Sequence, residues 1–333
     1  LRRGQAIEIP AGKYINMNGN NLAFSNIEQK IISNGGGLLN CDVQIPYRRC
    51  ELSGLVLAGY SPYGINMTDG TYLDKQTNPG SYPYASHEIV SNWLHVNDVQ
   101  LWAKGIGFYD NKAVGLVRCR NMETHYCDNG AYIDQSEFHY DSGDMHFTSC
   151  RFTGKGDPYV AGSYQGYGIK VIKTGGLALC DTKIQKHAYG CYLIPSVASV
   201  SSWTHPINGV YITGCEFEDN DTTNKRDFVI TADAGVASTS YPNGITMVGG
   251  TTQSLTVDKC VSATFSGVYF SITNSITVNN TAQLTKFVAC PPPPGSSSNA
   301  VSGTGVPSLI LFNLSHGGRM TFSTTNFTNF NTN

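Results

Sequence analysis

One short pattern recurs along this chain and constrains its fold more than any other feature of the sequence. A cysteine or asparagine is preceded, three residues earlier, by a large apolar residue and is followed by a short, partly alternating run. The clearest copies lie at Cys150, Cys180 and Cys215, and looser copies lie at Cys50, Asn97, Cys119 and Cys260. Successive copies are 47, 22, 31, 30, 35 and 45 residues apart. A short repeat that cannot bury an apolar face alone, with inserts between copies, is typical of a solenoid.

A second strand-like run lies between the copies and begins near a glycine, as at Gly107, Gly130, Gly168 and Gly190. Two or three strands per coil, without a long segment of 3.6-residue periodicity, predict an all-β fold, specifically a right-handed parallel β-helix. We predict this β-helix over residues 1–290 and a Pro/Ser-rich linker over 291–300. Residues 301–333 are predicted to form a short C-terminal β segment that caps the helix or trimerises it.

Composition and motifs exclude several classes of function. Charged residues make up 14% of the chain, the net charge is −2 and no basic run occurs, so we expect no nucleic-acid partner. No apolar run approaches about 20 residues, so no membrane insertion is expected. The sequence has no CxxC pair, HExxH motif, EF-hand loop or P-loop. We therefore predict neither a cofactor nor a metal site.

The ten cysteines have two interpretations. Five of them fall at what looks like one phase of the repeat, namely Cys119, Cys150, Cys180, Cys215 and Cys260. This placement favours a stack of reduced thiols inside the helix, because buried cysteine behaves as a small hydrophobe. Such a chain is made in a reducing cytosol, and some disulfides remain the alternative.

The segment from Ala6 to Ile15 reads as strand, Pro-x-Gly turn, strand. Its "apolar-x-Ile-Pro-x-Gly-x-Tyr" pattern, leading into irregular β coils, resembles the first coil of the pectate-lyase-like β-helices. In particular it is similar to the tailspike and capsule-depolymerase proteins of bacteriophages. The resemblance covers roughly residues 5–290 in pattern, while the specific motif is confined to this segment.

The resemblance implies a parallel homotrimer that binds, and usually cleaves, a bacterial surface polysaccharide. It implies a virion protein made in the host bacterial cytoplasm and acting at the bacterial cell surface. In that family an N-terminal part attaches the chain to the tail or baseplate. The chain starts with Leu1 rather than Met, and we expect it to begin inside a longer polypeptide that carries this part.

Three acids are the predicted catalytic residues: Asp181, Glu216 and Glu218. Counting outward positions from each cysteine places Arg151, Asp181 and Glu216 in one outward column, and Lys183 and Glu218 in the next. Glycoside hydrolysis needs one carboxyl group to protonate the leaving oxygen and another as nucleophile or base. The family resemblance agrees, because several phage endoglycosidases carry one acid on one coil and two on the next. The alternative is that Arg151–Asp181 and Lys183–Glu218 are plain ion pairs between coils.

The predicted substrate-binding residues are Trp93, His95, Arg151 and Tyr211, whose aromatic and polar groups suit sugar rings. A second cluster of acids and histidines is an alternative catalytic site, or else a solvated insert between coils. It contains Glu123, His125, Asp134, Glu137, His139, Asp141, Asp144 and His146. A long Tyr/Pro/Gly-rich loop over residues 60–87 could line a sugar site or pack down on the helix.

Three functions remain open on these residues. The first is a polysaccharide-degrading tailspike that hydrolyses glycosidic bonds with paired carboxylates. The second is a polysaccharide lyase on the same fold, in which a Lys, His or Tyr removes a proton next to a uronate carboxylate. The third is a non-catalytic receptor-binding or structural fibre.

Overall fold

The computed structural model describes most of the chain, with gaps at some turns and at both ends. The described residues are 5–24, 28–45, 50–67, 94–110, 116–135, 144–157, 159–160, 162–197, 206–221, 226–271, 276–279, 282–291, 301–302 and 309–312. The long loop at 60–87 lies mostly outside them, as does most of the C-terminal segment. No helix among the described residues is long and apolar enough to cross a membrane.

The chain is a parallel β-helix, as predicted, and its described strands form two long sheets. Sheet A contains 20 of these strands. They are β1 Ala6–Ile9, β2 Tyr14–Asn16, β4 Lys30–Leu39, β6 Cys50–Ala58, β8 Leu94–Asn97, β9 Gln100–Trp102, β11 Val117–Arg120, β12 Glu123–His125, β14 Asp144–Thr148, β15 Arg151–Thr153, β17 Gly176–Cys180, β18 Lys183–Gln185, β20 Asn208–Thr213, β21 Glu216–Glu218, β23 Asn243–Val248, β24 Thr251–Thr252, β26 Cys260–Ser266, β27 Tyr269–Phe270, β29 Ala282–Cys290 and β31 Leu309–Phe312.

Sheet B contains the other 11 strands, and one short 3-10 helix, Ser238–Ser240, lies outside the described sheets. The strands are β3 Leu22–Ala23, β5 Val43–Gln44, β7 Tyr63–Asn66, β10 Ile106–Asp110, β13 Asn129–Asp134, β16 Tyr167–Lys173, β19 Tyr189–Leu193, β22 Phe228–Ile230, β25 Leu255–Val257, β28 Ile276–Val278 and β30 Val301–Ser302. The last strand of each sheet pairs in parallel with the strand before it. The two described pieces beyond the proposed linker therefore continue the sheets; the right-handed sense of the coil stays a prediction.

Each regular coil gives two strands to sheet A and one to sheet B. The two sheet-A strands are joined by a bend residue in the left-handed region, as at Asn121 (φ 51°), Ser149 (φ 53°) and Asp181 (φ 49°). The backbone N–H of each bend residue donates to a carbonyl of the following coil. Asn and Asp tolerate this conformation better than most residues, and Gly adopts it freely. The bend restarts the alternation of inward and outward side chains, which decides which residues face solvent.

The core consists of several columns of inward side chains, and each coil contributes to every column. One inward column is fully buried and runs through Leu52, Val96, Cys119, Phe147, Leu179, Ile212, Met247, Phe265 and Phe287. Strand neighbours in such a column are about 4.8 Å apart, so each side chain packs on the one before it. Stacking therefore lets very short strands share one continuous core.

The predicted column of five cysteines is wrong in its phase. All ten cysteines are free and nine are buried, but Cys180 pairs with Thr148 and Thr213 and faces outward. Cys119 lies before the bend, in the column of Phe147, whereas Cys150 and Cys215 lie after it. The sequence count failed because it did not include the bend.

Thr182 takes the place that the count gave to Cys180. Its hydroxyl donates to the carbonyls of Phe147 (3.3 Å) and Cys180 (3.1 Å). The thiol of Cys150 makes the equivalent pair of contacts, with the carbonyls of Cys119 (3.4 Å) and Thr148 (3.5 Å). A thiol or a hydroxyl can therefore bond two carbonyls at this place, which Val99 and Met122 fill with apolar side chains on earlier coils.

Candidate functional site

The candidate site lies on the outer face of sheet A, where strand register arranges side chains in four columns. Column 1 runs Glu51, His95, Arg118, His146, Ala178, Tyr211, Thr246, Thr264, Lys286. Column 2 runs Ser53, Asn97, Arg120, Thr148, Cys180, Thr213, Val248, Ser266, Val288. Column 3 runs Gln100, Glu123, Arg151, Lys183, Glu216, Thr251, Tyr269, and column 4 runs Trp102, His125, Thr153, Gln185, Glu218.

The register corrects the predicted columns. Arg151, Lys183 and Glu216 are neighbours in column 3, and Glu218 lies in column 4 beside Gln185. Asp181 belongs to no strand column, because it is the bend residue between β17 and β18. Its carboxylate nevertheless lies against the next coil: Oδ1 is 2.5 Å from where a Cβ on Gly214 would stand. Gly214 is two residues before Glu216, so the three predicted acids do lie on adjoining turns of the helix.

Lys183 links two of these acids. Its Nζ lies 3.4 Å from Oε2 of Glu216 and makes a shorter contact with Oε1 of Glu218. The hydrogen bond with Glu218 is the main reason that the pKa of Lys183 is raised. The Lys183–Glu218 pair that the sequence analysis kept as an alternative therefore exists. Among the described residues no ion pair joins Arg151 to Asp181.

The predicted substrate-binding residues are spread along the same face. Tyr211 is on the strand that leads to the acids, and 60% of its surface is exposed. Arg151 is exposed and adjoins Lys183 in column 3. His95 is four rungs before Tyr211 in column 1, about 19 Å away. Trp93 lies outside the described residues.

The second acidic cluster does not form one group. Glu123 and His125 lie together on β12, with Oε2 and Nε2 2.8 Å apart. Asp144 and His146 are on β14 of the next coil, while Asp134 is on sheet B, where its carboxylate accepts from the hydroxyl of Tyr132 at 3.4 Å. Its other three members, Glu137, His139 and Asp141, lie outside the described residues. No group of three or more potential metal ligands occurs in the described part of the chain.

An aromatic platform that the sequence analysis missed lies beside the Glu123–His125 pair. The rings of Trp102 and His125 stack in column 4 with centroids 4.2 Å apart and planes 20° apart. The exposed ring of Tyr126 lies 6.1 Å from that of Trp102. The indole N–H of Trp102 donates to Gln100 at 3.4 Å. The available signal was Trp102 itself, five residues after the copy at Asn97, but strand register was needed to bring it against His125.

A second set of aromatic rings lies on the outer face of sheet B. Tyr63 stacks on Tyr109 (4.5 Å) and Tyr189 on Tyr192 (4.4 Å). Cations cover other rings of the set: Lys170 lies over Tyr132 and Tyr167, and Arg226 lies over Tyr189. These cations cover faces of three of the rings, which makes the outer face of sheet B the less suitable surface for sugar rings.

The N-terminal segment has the strand–turn–strand form that its sequence indicated. β1 and β2 flank a turn in which Lys13 N–H donates to Pro10 C=O (3.0 Å) and Gly12 has φ 66°. No protein-family model matches the sequence, and no curated protein matches it significantly. What the molecule does is therefore inferred from the surface of sheet A.

Proposed function

We propose that the outer face of sheet A binds a bacterial surface polysaccharide and that the protein hydrolyses its glycosidic bonds. The observation that carries this proposal is the acid group of Asp181, Glu216 and Glu218 on adjoining coils, with exposed Tyr211 on the coil of the two glutamates. Glu216 and Glu218 both contact the ammonium of Lys183, so their carboxylates lie close to each other. Two carboxyl groups within reach of one bond are the minimum that glycoside hydrolysis requires.

The contacts of Lys183 suggest how the two roles divide. Glu218 makes the closest contact with the ammonium, and we assign it the role of nucleophile or base. Glu216 has the longer contact, and its side chain is 53% exposed and so more accessible to a substrate; we assign it the role of acid toward the leaving oxygen. Asp181 stands beside this pair at Gly214, where it can orient a water molecule or a sugar hydroxyl.

The rest of the face provides room for a chain of sugars. His125 is three rungs before Glu218 in column 4, a span of about 14 Å. The Trp102–His125 platform at one end can hold an apolar ring face while the acids act at the other. This arrangement suits an extended polysaccharide that is cut within its length.

The same proposal makes the protein a phage tailspike: a parallel homotrimer joined to the virion tail or baseplate and acting at the bacterial surface. Its support is the resemblance of the Ala6–Ile15 segment together with the parallel β-helix architecture.

The test is incubation with a panel of purified bacterial capsules and O-antigens, followed by mass analysis of the products. Hydrolysis adds one water for each bond cut and creates a reducing end without an unsaturated chromophore. We expect this result for at least one polysaccharide. Binding without release would contradict the catalytic part of the proposal, and neither binding nor release would contradict all of it.

A lyase is the second candidate, and the Glu123–His125 contact is the observation that favours it. A carboxylate that holds an imidazole by a 2.8 Å hydrogen bond fixes its tautomer and orientation for removing a proton. Elimination would give an unsaturated product and no added water. His125→Gln would then abolish cleavage even at saturating polysaccharide, whereas hydrolysis at Glu216 and Glu218 would lose affinity and keep its kcat.

A further inference from the structure

We propose that the bound polysaccharide is acidic and that Arg118 and Arg120 bind its anionic groups. This inference rests on the proposed function and names the substrate class of the same face. The two arginines are on β11, in columns 1 and 2, and both are exposed. They lie on the coil of the Glu123–His125 pair, so one coil presents cations beside the aromatic platform.

Neither arginine has an ionic partner among the described residues. On this part of the face the ion pairs involve Lys30, Lys183 and His125 instead. Arg226 provides a contrast, because its guanidinium lies 4.6 Å from the ring of Tyr189 on sheet B and has a structural contact there. Two exposed arginines without such a contact are available to a ligand.

The acids around the two arginines are engaged elsewhere. Asp98 accepts a hydrogen bond from Asn121 at 2.9 Å. Glu123 binds His125, and the carboxylate of Asp144 lies over Gly176, on the coil that follows its own. Arg118 is on the coil before Asp144, whereas the Asp144 carboxylate lies toward the coil after it.

The neighbours of Arg118 in column 1 are His95 and His146, each about 4.8 Å away along the sheet. A column of imidazole, guanidinium and imidazole has many donors, and a guanidinium binds a carboxylate or phosphate through two parallel hydrogen bonds. Neutral sugars offer hydroxyls but no charged acceptor for such a charge-assisted pair. A uronate, sialate or phosphate on the polysaccharide supplies one.

The test measures binding of wild-type protein to two sets of immobilised bacterial polysaccharides, one bearing uronate, sialate or phosphate and one neutral. Arg118→Gln and Arg120→Gln are compared with Lys286→Gln. Lys286 is exposed in the same column, six rungs from Arg118 and about 29 Å away, so its loss removes the same charge from the same face. Circular dichroism and thermal melting establish that each variant is folded, as expected for changes at exposed positions.

We expect wild-type protein to bind acidic members of the panel, with affinity that falls as salt is added. Each arginine variant should bind at least tenfold more weakly and show a shallower salt dependence, while Lys286→Gln should match wild type. Binding only to neutral polysaccharides, or equal loss in all three variants, would overturn the proposal and leave the proposed function standing. Equal affinity for single-stranded DNA would also overturn it. Failure to bind any polysaccharide would instead refute the proposed function.

Discussion

Replacing Glu216 or Glu218 by glutamine separates a catalytic role from a structural one. If the pair is catalytic, either change should reduce the rate of glycan cleavage by about 10²–10⁴-fold, because an amide cannot transfer the proton. That loss corresponds to about 3–5 kcal/mol in activation free energy. The structural cost is smaller, because the three side chains that form the ion pairs are 28% (Lys183), 53% (Glu216) and 38% (Glu218) exposed. Exposed pairs contribute less than about 1 kcal/mol to stability.

Glu51→Gln is the matched control. Glu51 binds Lys30 at 2.7 Å on the same outer face, with side chains 29% and 44% exposed, and it lies five rungs before Tyr211 in column 1. The Glu51→Gln variant loses a comparable ion pair that lies away from the proposed catalytic acids. Reducing-end release on the cleaved polysaccharide, with urea unfolding measured in parallel, gives both quantities. Wild-type rates in both Glu216→Gln and Glu218→Gln would refute the catalytic assignment and leave Lys183 as the centre of an ordinary ion-pair group.

Three further predictions concern single residues. Asp181→Asn should keep the left-handed bend and change the free energy of unfolding by less than about 0.5 kcal/mol, while abolishing cleavage. Asp181→Val should lower the free energy of unfolding, measured in urea, by about 1–2 kcal/mol. Full activity in the Asn variant would show that Asp181 is not part of the site. Cys180 is the one cysteine that is not fully buried, so the native protein should react with one equivalent of a thiol reagent, at Cys180. Burial raises the pKa of Cys150 and Cys215 to about 12, so these thiols should stay unreactive. Rapid reaction of the Cys180→Ser protein would contradict this. Burial raises the pKa of Asp227 from 3.8 to about 7, so the protonated carboxyl stabilises the folded protein fully below about pH 4, and this stabilisation is lost as the pH rises to 7. Asp227→Asn should therefore gain stability relative to wild type over that interval. A constant difference in unfolding free energy would refute the shift.

The coil architecture was predictable because its signal is local. An apolar residue three positions before a cysteine or asparagine marks most passes through sheet A, although the coil of β23 and β24 has no copy. The glycine-led runs at Gly107, Gly130, Gly168 and Gly190 lie in strands of sheet B. Both follow from the alternation of side chains along a strand. The Pro-x-Gly turn at residues 10–12 was readable for the same reason.

The phase of each copy was not predictable from spacing. Cys119 and Cys180 lie before the bend and Cys150 and Cys215 after it, yet all four fit the same sequence pattern. Thr182 occupies the position that Cys150 holds on the preceding coil, and only its two hydrogen bonds in the structure show this. Because Cys180 lies two residues before the place equivalent to Cys150, the count moved Lys183 away from Arg151.

Contacts between coils were the other part that the sequence could not show. Trp102 and His125 are 23 residues apart in the numbering and meet only through the register of β9 and β12. Lys104 would be read as a surface residue, but it is fully buried, and its ammonium donates to the carbonyls of Cys41 (3.0 Å) and Gly59 (2.9 Å). The backbone carbonyls of earlier coils provide that site, and no residue type in the sequence marks them.

A structure of the Glu218→Gln protein with an oligosaccharide from a polysaccharide that it binds tests the central claim most directly. The account predicts sugar rings along columns 3 and 4 of sheet A, from the Trp102–His125 platform to Glu216, with an anionic group at Arg118 or Arg120. An oligosaccharide seated on the outer face of sheet B, with the outer face of sheet A empty, would contradict it.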